Sequence, residues 1–173
     1  MKKLIIFVSI MYSILGTCSS LDYRKTVEYV DLERFMGDWY VIAGRVTFLE
    51  KNAYNPIESY TWNSGKKRID INFTFNKGSF LGKKKSIPQK GYIHNDKTFA
   101  HWKISPIWPL KLDYLVIELD QNYQWTVIGV PSQKYLWIMA RTPQISNSLY
   151  SEIMSRLEIK NYNHQNVKMM PQQ

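Results

Sequence analysis

The chain has 173 residues and a formal charge of +9, with one cysteine and 14% aromatic residues. That length suits one ordinary domain and is short for two. A lone cysteine excludes a disulfide within the chain, and with it a small secreted scaffold stapled by disulfides.

The first residues read as a targeting segment. Lys2 and Lys3 form a basic start, Leu4 to Leu15 is an apolar run too short to span a bilayer, and Gly16-Thr17-Cys18-Ser19-Ser20 follows. That order is the order of a secretory signal. Leu15-Gly16-Thr17-Cys18 resembles the cleavage and lipidation box of bacterial lipoproteins, although Thr17 stands where a smaller residue is usual. The expected layout is a signal at 1–17, lipid on Cys18, a tether over 18–30 and one domain over 31–173. Exported by a bacterium, the chain would carry no sugar at the formal sequon Asn72-Phe73-Thr74.

Charge is unevenly spread along the chain. Residues 77–111 hold eight lysines against Asp96 alone, whereas 18–76 and 112–173 are each balanced. Such a field attracts anions, whether lipid head groups, an anionic membrane or nucleic acid; a solvated face is the plainer alternative.

Within 31–173, Asp31 is a plausible cap for a short helical turn stopped by Gly37. A series of β-like runs follows: Trp39–Val46, Ala53–Trp62, Arg68–Asn76, Lys84–Ile93, Phe99–Ile104, Leu112–Leu119, Trp125–Val130 and Tyr135–Arg141. The third is the cleanest, with Ile69, Ile71, Phe73 and Phe75 alternating with polar residues. Turn residues such as Asn63-Ser64-Gly65 and Asn95-Asp96 separate them. Eight short strands joined by hairpin-length turns predict an all-β fold, barrel or sandwich. One helix closes the series: Ser146 caps it, Leu149, Ile153 and Leu157 repeat at every fourth position, and Asn161 and Asn163 end it. Val167 to Met170 suits a short extra strand.

Three motifs carry a resemblance. Gly37-Asp38-Trp39-Tyr40 opens the first strand after a helical turn. Leu112 to Tyr123 forms a strand and turn, and Tyr135-Leu136-Trp137-Ile138-Met139-Ala140-Arg141-Thr142-Pro143 ends the last strand. In this order and spacing they resemble the lipocalin family, and within it the bacterial outer-membrane lipoprotein lipocalins, over residues 27–171. The resemblance implies a calycin barrel: eight antiparallel up-and-down strands with one C-terminal α-helix. It also implies a structural floor made by Gly37, Trp39 and Arg141, with the guanidinium laid over the indole.

The family's strand order puts the loops after strands one, three, five and seven around an open mouth. The mouth then coincides with the basic segment, so Lys83, Lys84 and Lys85 are expected to meet the head group of an anionic amphiphile, with Phe80, Leu81, Ile107 and Trp108 at the rim. Parity from Trp39 turns Val41, Ala43 and Arg45 inward. Tyr60, Trp62, Ile71, Phe73, Phe75, Phe99 and Tyr114 are further candidates for the lining. A β-bulge would invert any such set. The expected ligand is a fatty acid, palmitate-like, or a lysophospholipid, held for storage or transport in envelope maintenance. The expected place is the outer membrane, lipid-anchored and facing the periplasm, and the family implies a homodimer.

Rival functions lack their residues. Gly-x-Ser-x-Gly is absent, His94, His101 and His164 are scattered without metal-ligand spacing, and Gly78 to Lys84 departs from a phosphate-binding loop. The expectation is therefore a binding protein, not an enzyme, with no cofactor, no metal and no nucleic-acid partner. A barrel serving as an interaction module at the membrane is the alternative, and a lipid-modifying enzyme a more distant one.

Overall fold

In a computed structural model the protein is described over residues 25–47, 50–106 and 109–173. The signal segment, Cys18, Ile107 and Trp108 lie outside the described residues.

Alternation in the sequence becomes a wall with two sides. In β3 (Arg68–Lys77) Ile69, Ile71, Phe73 and Phe75 are buried on one face, while the residues between them stay half-buried on the other. The same logic builds β1 (Gly37–Arg45), β2 (Ala53–Asn63), β4 (Lys84–Ile93), β5 (His101–Ser105), β6 (Leu112–Leu119), β7 (Trp125–Gly129) and β8 (Leu136–Ala140). Each strand pairs antiparallel with the next, and β1 pairs with both β2 and β8, so the sheet closes into an eight-stranded barrel. A four-residue helix, α1 (Leu32–Phe35), precedes β1, capped by Asp31, whose carboxylate accepts from the Glu33 and Arg34 amides.

One strand starts later than its sequence suggests. Phe99 has φ +54° and its amide bonds the Asn95 carbonyl, so it belongs to the turn, and β5 begins at His101.

Two apolar cores share the wall. The inner one joins Phe35, Trp39, Ile71, Phe73, Trp102 and Tyr114, among others. The outer one lies between the barrel and α2 (Asn147–Ile159), where Ile153 and Leu157 are fully buried against residues such as Ile42, Leu115, Val127 and Ile138. Ser146 caps α2, its hydroxyl accepting from the Leu149 amide at 3.1 Å.

The outer core needs two bulges. The β1–β8 register slips between Val41 and Ala43, and the β6–β7 register slips between Val116 and Glu118. Each slip places two successive residues on the helix side: Ile42 and Ala43 in one strand, Ile117 and Glu118 in the other. Glu118 then meets Lys160 at 2.8 Å, just past the end of α2.

A ninth short strand, β9 (Lys168–Met169), lies along β1 opposite Ala43 and Gly44. Here β1 and β2 have parted, their ladder ending at Tyr40 and Ile57. The C-terminal strip fills the opening: Met170 donates to Ile42, Asn55 donates to Pro171, and the Gln172 amide nitrogen donates to both Val41 and Pro56.

Candidate ligand-binding site

The closed end of the barrel is filled with rings. Phe35 lies 5.1 Å from Trp39, 5.5 Å from Tyr60 and 5.2 Å from Trp102, and Trp102 stacks on Tyr114 at 5.0 Å. Beneath them Arg141 lies over Trp39, its guanidinium carbon 3.7 Å from the ring centre. Its nitrogens donate to the carbonyls of Asp38 and Arg34 at 2.8 Å and of Met36 at 2.9 Å. Those contacts join the last strand to the lead-in turn. At Gly37, with φ +94°, a side chain would be strained by the backbone alone, its Cβ only touching Arg141 at 3.4 Å.

Above the rings the interior is hollow. A cavity of about 700 Å³ opens toward the connections β1–β2, β5–β6 and β7–β8, with Glu50, Leu110 and Tyr135 among its outer residues. Its mid-section is largely apolar, with Ile71, Phe73, Ile87, Ile104, Ile128 and Met139. That volume falls within the span of about 300–1,000 Å³ usual for small-molecule sites.

Three carboxyl groups stand in this lining: Asp113, engaged by His101 and Lys103, together with Glu50 and Glu58. Glu50 is held by three donors: the Thr47 amide at 2.8 Å, the Thr47 hydroxyl at 2.7 Å and the Trp137 indole at 2.8 Å. Burial nevertheless raises its pKa, against the lowering effect of those bonds. Glu58 sits deeper, opposite Trp39 in the β1–β2 ladder. Its Oε2 accepts from the Tyr60 hydroxyl, which in turn lies 2.6 Å from the hydroxyl of Tyr114. Burial pushes the Glu58 carboxyl up to about 7; the Tyr60 bond opposes this and the charge of Glu50 adds to it. Burial, reinforced by the Glu58 charge, likewise drives the Tyr60 and Tyr114 hydroxyls well above their ordinary range. No cation pairs with Glu58 among the described residues.

The residues expected from sequence separate into three groups. Ile71, Phe73 and Tyr114 line the cavity. Val41, Tyr60 and Phe75 belong to the same inner core without lining the hollow. The others lie elsewhere. Ala43 packs in the outer core, because the bulge after Val41 reverses parity. Arg45 is turned outward too: it donates to the Lys134 carbonyl at 2.9 Å, the Gln165 carbonyl at 2.6 Å and the Asn163 carbonyl at 3.0 Å. Trp62 is exposed at the closed end of β2. Phe99 packs edge-on against Tyr29 in the β4–β5 turn.

Lys83, Lys84 and Lys85 are exposed and outside the cavity lining. The β3–β4 connection folds back toward the start of β2, with Phe80 edge-on to Tyr54 at 5.0 Å and Gly78 bonded to the Asn52 carbonyl, while Lys84 and Lys85 stand at the start of β4, opposite Asn76 and Phe75. Lys111 is the one lysine in the lining among the described residues. His101 is engaged by Asp113 at 2.6 Å, and among the described residues no cluster of His, Cys, Asp or Glu is arranged to hold a metal.

Sequence reasoning missed Glu50, Glu58 and Trp137. Glu58 was within reach, because it shares the parity of Tyr60 two residues on. Glu50 sits in a loop, where no periodicity exists to assign a direction.

Comparison with known proteins bears on this barrel and its hollow. Residues 30–172 match the model of the Lipocalin-like domain. Temperature-induced lipocalin-1 of Arabidopsis thaliana is 31% identical over 157 residues, 86% of this chain and 82% of that protein. Outer membrane lipoprotein Blc of Citrobacter freundii is 30% identical over 141 residues, 80% and 78% of the two chains. Among solved structures, insecticyanin from the tobacco hornworm Manduca sexta superposes with a TM-score of 0.67 at 14% identity, covering 87% of this chain and 85% of that one.

Proposed function

Since the chain belongs to the lipocalin family, whose members bind small hydrophobic ligands, we propose that it holds one fatty acid or lysophospholipid in its barrel. The observation that carries this reading is the unfilled cavity of about 700 Å³ above the aromatic floor, with an apolar mid-section. Each acyl CH2 group moved from water into such a lining contributes about 0.8 kcal/mol, so a partly inserted chain supplies ample affinity. The polar head stays at the mouth, where Lys111 meets an anionic group and Lys83, Lys84 and Lys85 add a more distant attractive field. The protein acts by binding and release, without turnover.

The setting is a membrane. Curated relatives bear the name outer membrane lipoprotein, and the segment ending at Cys18 suits acylation. We assign this chain the same place, anchored through Cys18 in the outer membrane, with storage or transport of lipid for envelope maintenance as its role.

Mass spectrometry of lipid extracted from the purified protein tests the central reading. Recovery of single-chain lipid near one per barrel supports it, and reproducibly empty protein sinks it. The anchor is tested separately: Cys18→Ala releases the protein from membranes, and unchanged fractionation with the membrane counts against lipid at that position.

A further inference from the structure

A barrel built to hold a plain hydrocarbon tail has no use for a carboxyl group at its inner end. Yet Glu58 stands there, just above the ring-filled floor, bonded to Tyr60 and without a cation among the described residues. Burying a carboxyl with a single hydrogen-bond donor and no cation is costly, and leucine at this position would fill the space without that cost.

The hydrogen-bond chain defines what the site lacks. With Glu58 ionised, Tyr114 gives its proton to Tyr60 and Tyr60 gives its own to Oε2 of Glu58. Both hydroxyl hydrogens are then spent, and Oε1 has no donor among the described residues. The other ionisable groups around the cavity supply none. Glu50 is an acceptor already holding three bonds, Asp113 is engaged by Lys103 and His101, and Lys111 belongs to the β5–β6 connection at the mouth.

We propose that Glu58 is a specificity-determining residue: the barrel prefers single-chain lipids that carry a hydrogen-bond donor, a hydroxyl or an amine, at the end that goes in deepest. The donor completes the acceptor site at Oε1, while the chain lies along Ile71, Phe73 and Ile87 and the other end remains at the mouth. This rests on the lipid-binding reading and narrows it.

Matched probes make the test: hexadecanoic acid, its ω-hydroxy derivative and hexadecylamine, each titrated against full-length protein stripped of lipid. Trp137 in the lining gives an intrinsic fluorescence signal, and calorimetry gives an independent one. The ω-hydroxy acid is expected to bind about tenfold more tightly than the plain acid, the scale of one hydrogen bond to a charged group. Glu58→Leu removes that advantage, with circular dichroism and a cooperative melting transition showing that the variant is folded. Glu58→Gln keeps part of the hydroxyl preference and loses the preference for the amine.

Titration with pH separates the two donors. Affinity for both rises as pH climbs through about 7 and Glu58 ionises, and it rises more steeply for the amine, whose positive charge gains an ion pair as well as a hydrogen bond. Equal binding of plain and donor-bearing chains, or an advantage surviving in Glu58→Leu, overturns the proposal and leaves the lipid carrier intact. If no single-chain probe binds at all, the carrier reading itself fails.

Discussion

At the scale of single residues, two arginines do similar work in opposite places. Arg141 gathers carbonyls of the lead-in turn beneath Trp39, and Arg45 gathers carbonyls of the β7–β8 connection and of the segment after α2. Replacing Arg141 by alanine removes the ring contact and the donors to four carbonyls of residues 34–38, two in exposed and two in part-buried contacts, at a cost of about 1–3 kcal/mol. Chemical denaturation reads this directly, and Arg141→Lys recovers only part of it, because an ammonium lacks the flat fork.

Glu58 gives a second prediction, about pH. Its carboxyl is raised from 4.5 to about 7 in the folded chain. Between those values the folded state keeps a proton that the unfolded chain has released, so stability falls as pH rises through the interval and levels off above it. Melting temperatures of the lipid-free protein across this range should decline in the wild type. The decline should be shallower in Glu58→Gln; in both proteins Glu50, which burial raises, adds to it, and His101, which burial lowers from 6.5, opposes it.

Among the elements, the bulges decide which side chains see the ligand. Strand periodicity correctly announced β3, whose alternation runs unbroken, and it named Ile71 and Phe73 for the lining. In β1 the same rule misdirected Ala43 and Arg45, because one extra residue after Val41 turns the strand over. A bulge leaves no mark in hydrophobic pattern when both displaced residues, here Ile42 and Ala43, are apolar and bury against a helix. The lysine run was legible as charge but not as position, since which connections border the cavity follows from the closed barrel and not from local pattern: the β3–β4 connection contributes no residue to the lining.

The separation of the two cores is itself testable. Leu157 is fully buried under α2 and touches nothing in the cavity. Leu157→Ala should destabilise the protein by about 2–5 kcal/mol and leave lipid affinity unchanged at temperatures well below its melting point. Phe73→Ala should act in both ways, since Phe73 belongs to the inner core and to the lining.

For the whole molecule, charge and cavity make separable contributions. Binding driven by a buried chain should change little with added salt, whereas attraction by exposed lysines is screened within about 10 Å at 0.1 M ionic strength. Lys111→Gln should therefore weaken an anionic ligand modestly at low salt, by less as salt rises, and leave a neutral one unaffected. Equal loss for both ligands would remove the head-group role assigned to that residue.

The strip formed by residues 168–173 has its own consequence. Where β1 and β2 part, the barrel is sealed by a few bonds from β9, Pro171 and the Gln172 amide instead of a continuous ladder. The β1–β2 ladder does not continue past this point, so peeling the strip back is expected to part the wall between the two strands. Shortening the chain after Val167 should then let cargo leave sideways. Release should quicken several-fold in stopped-flow displacement, with association changing less and the fold staying intact.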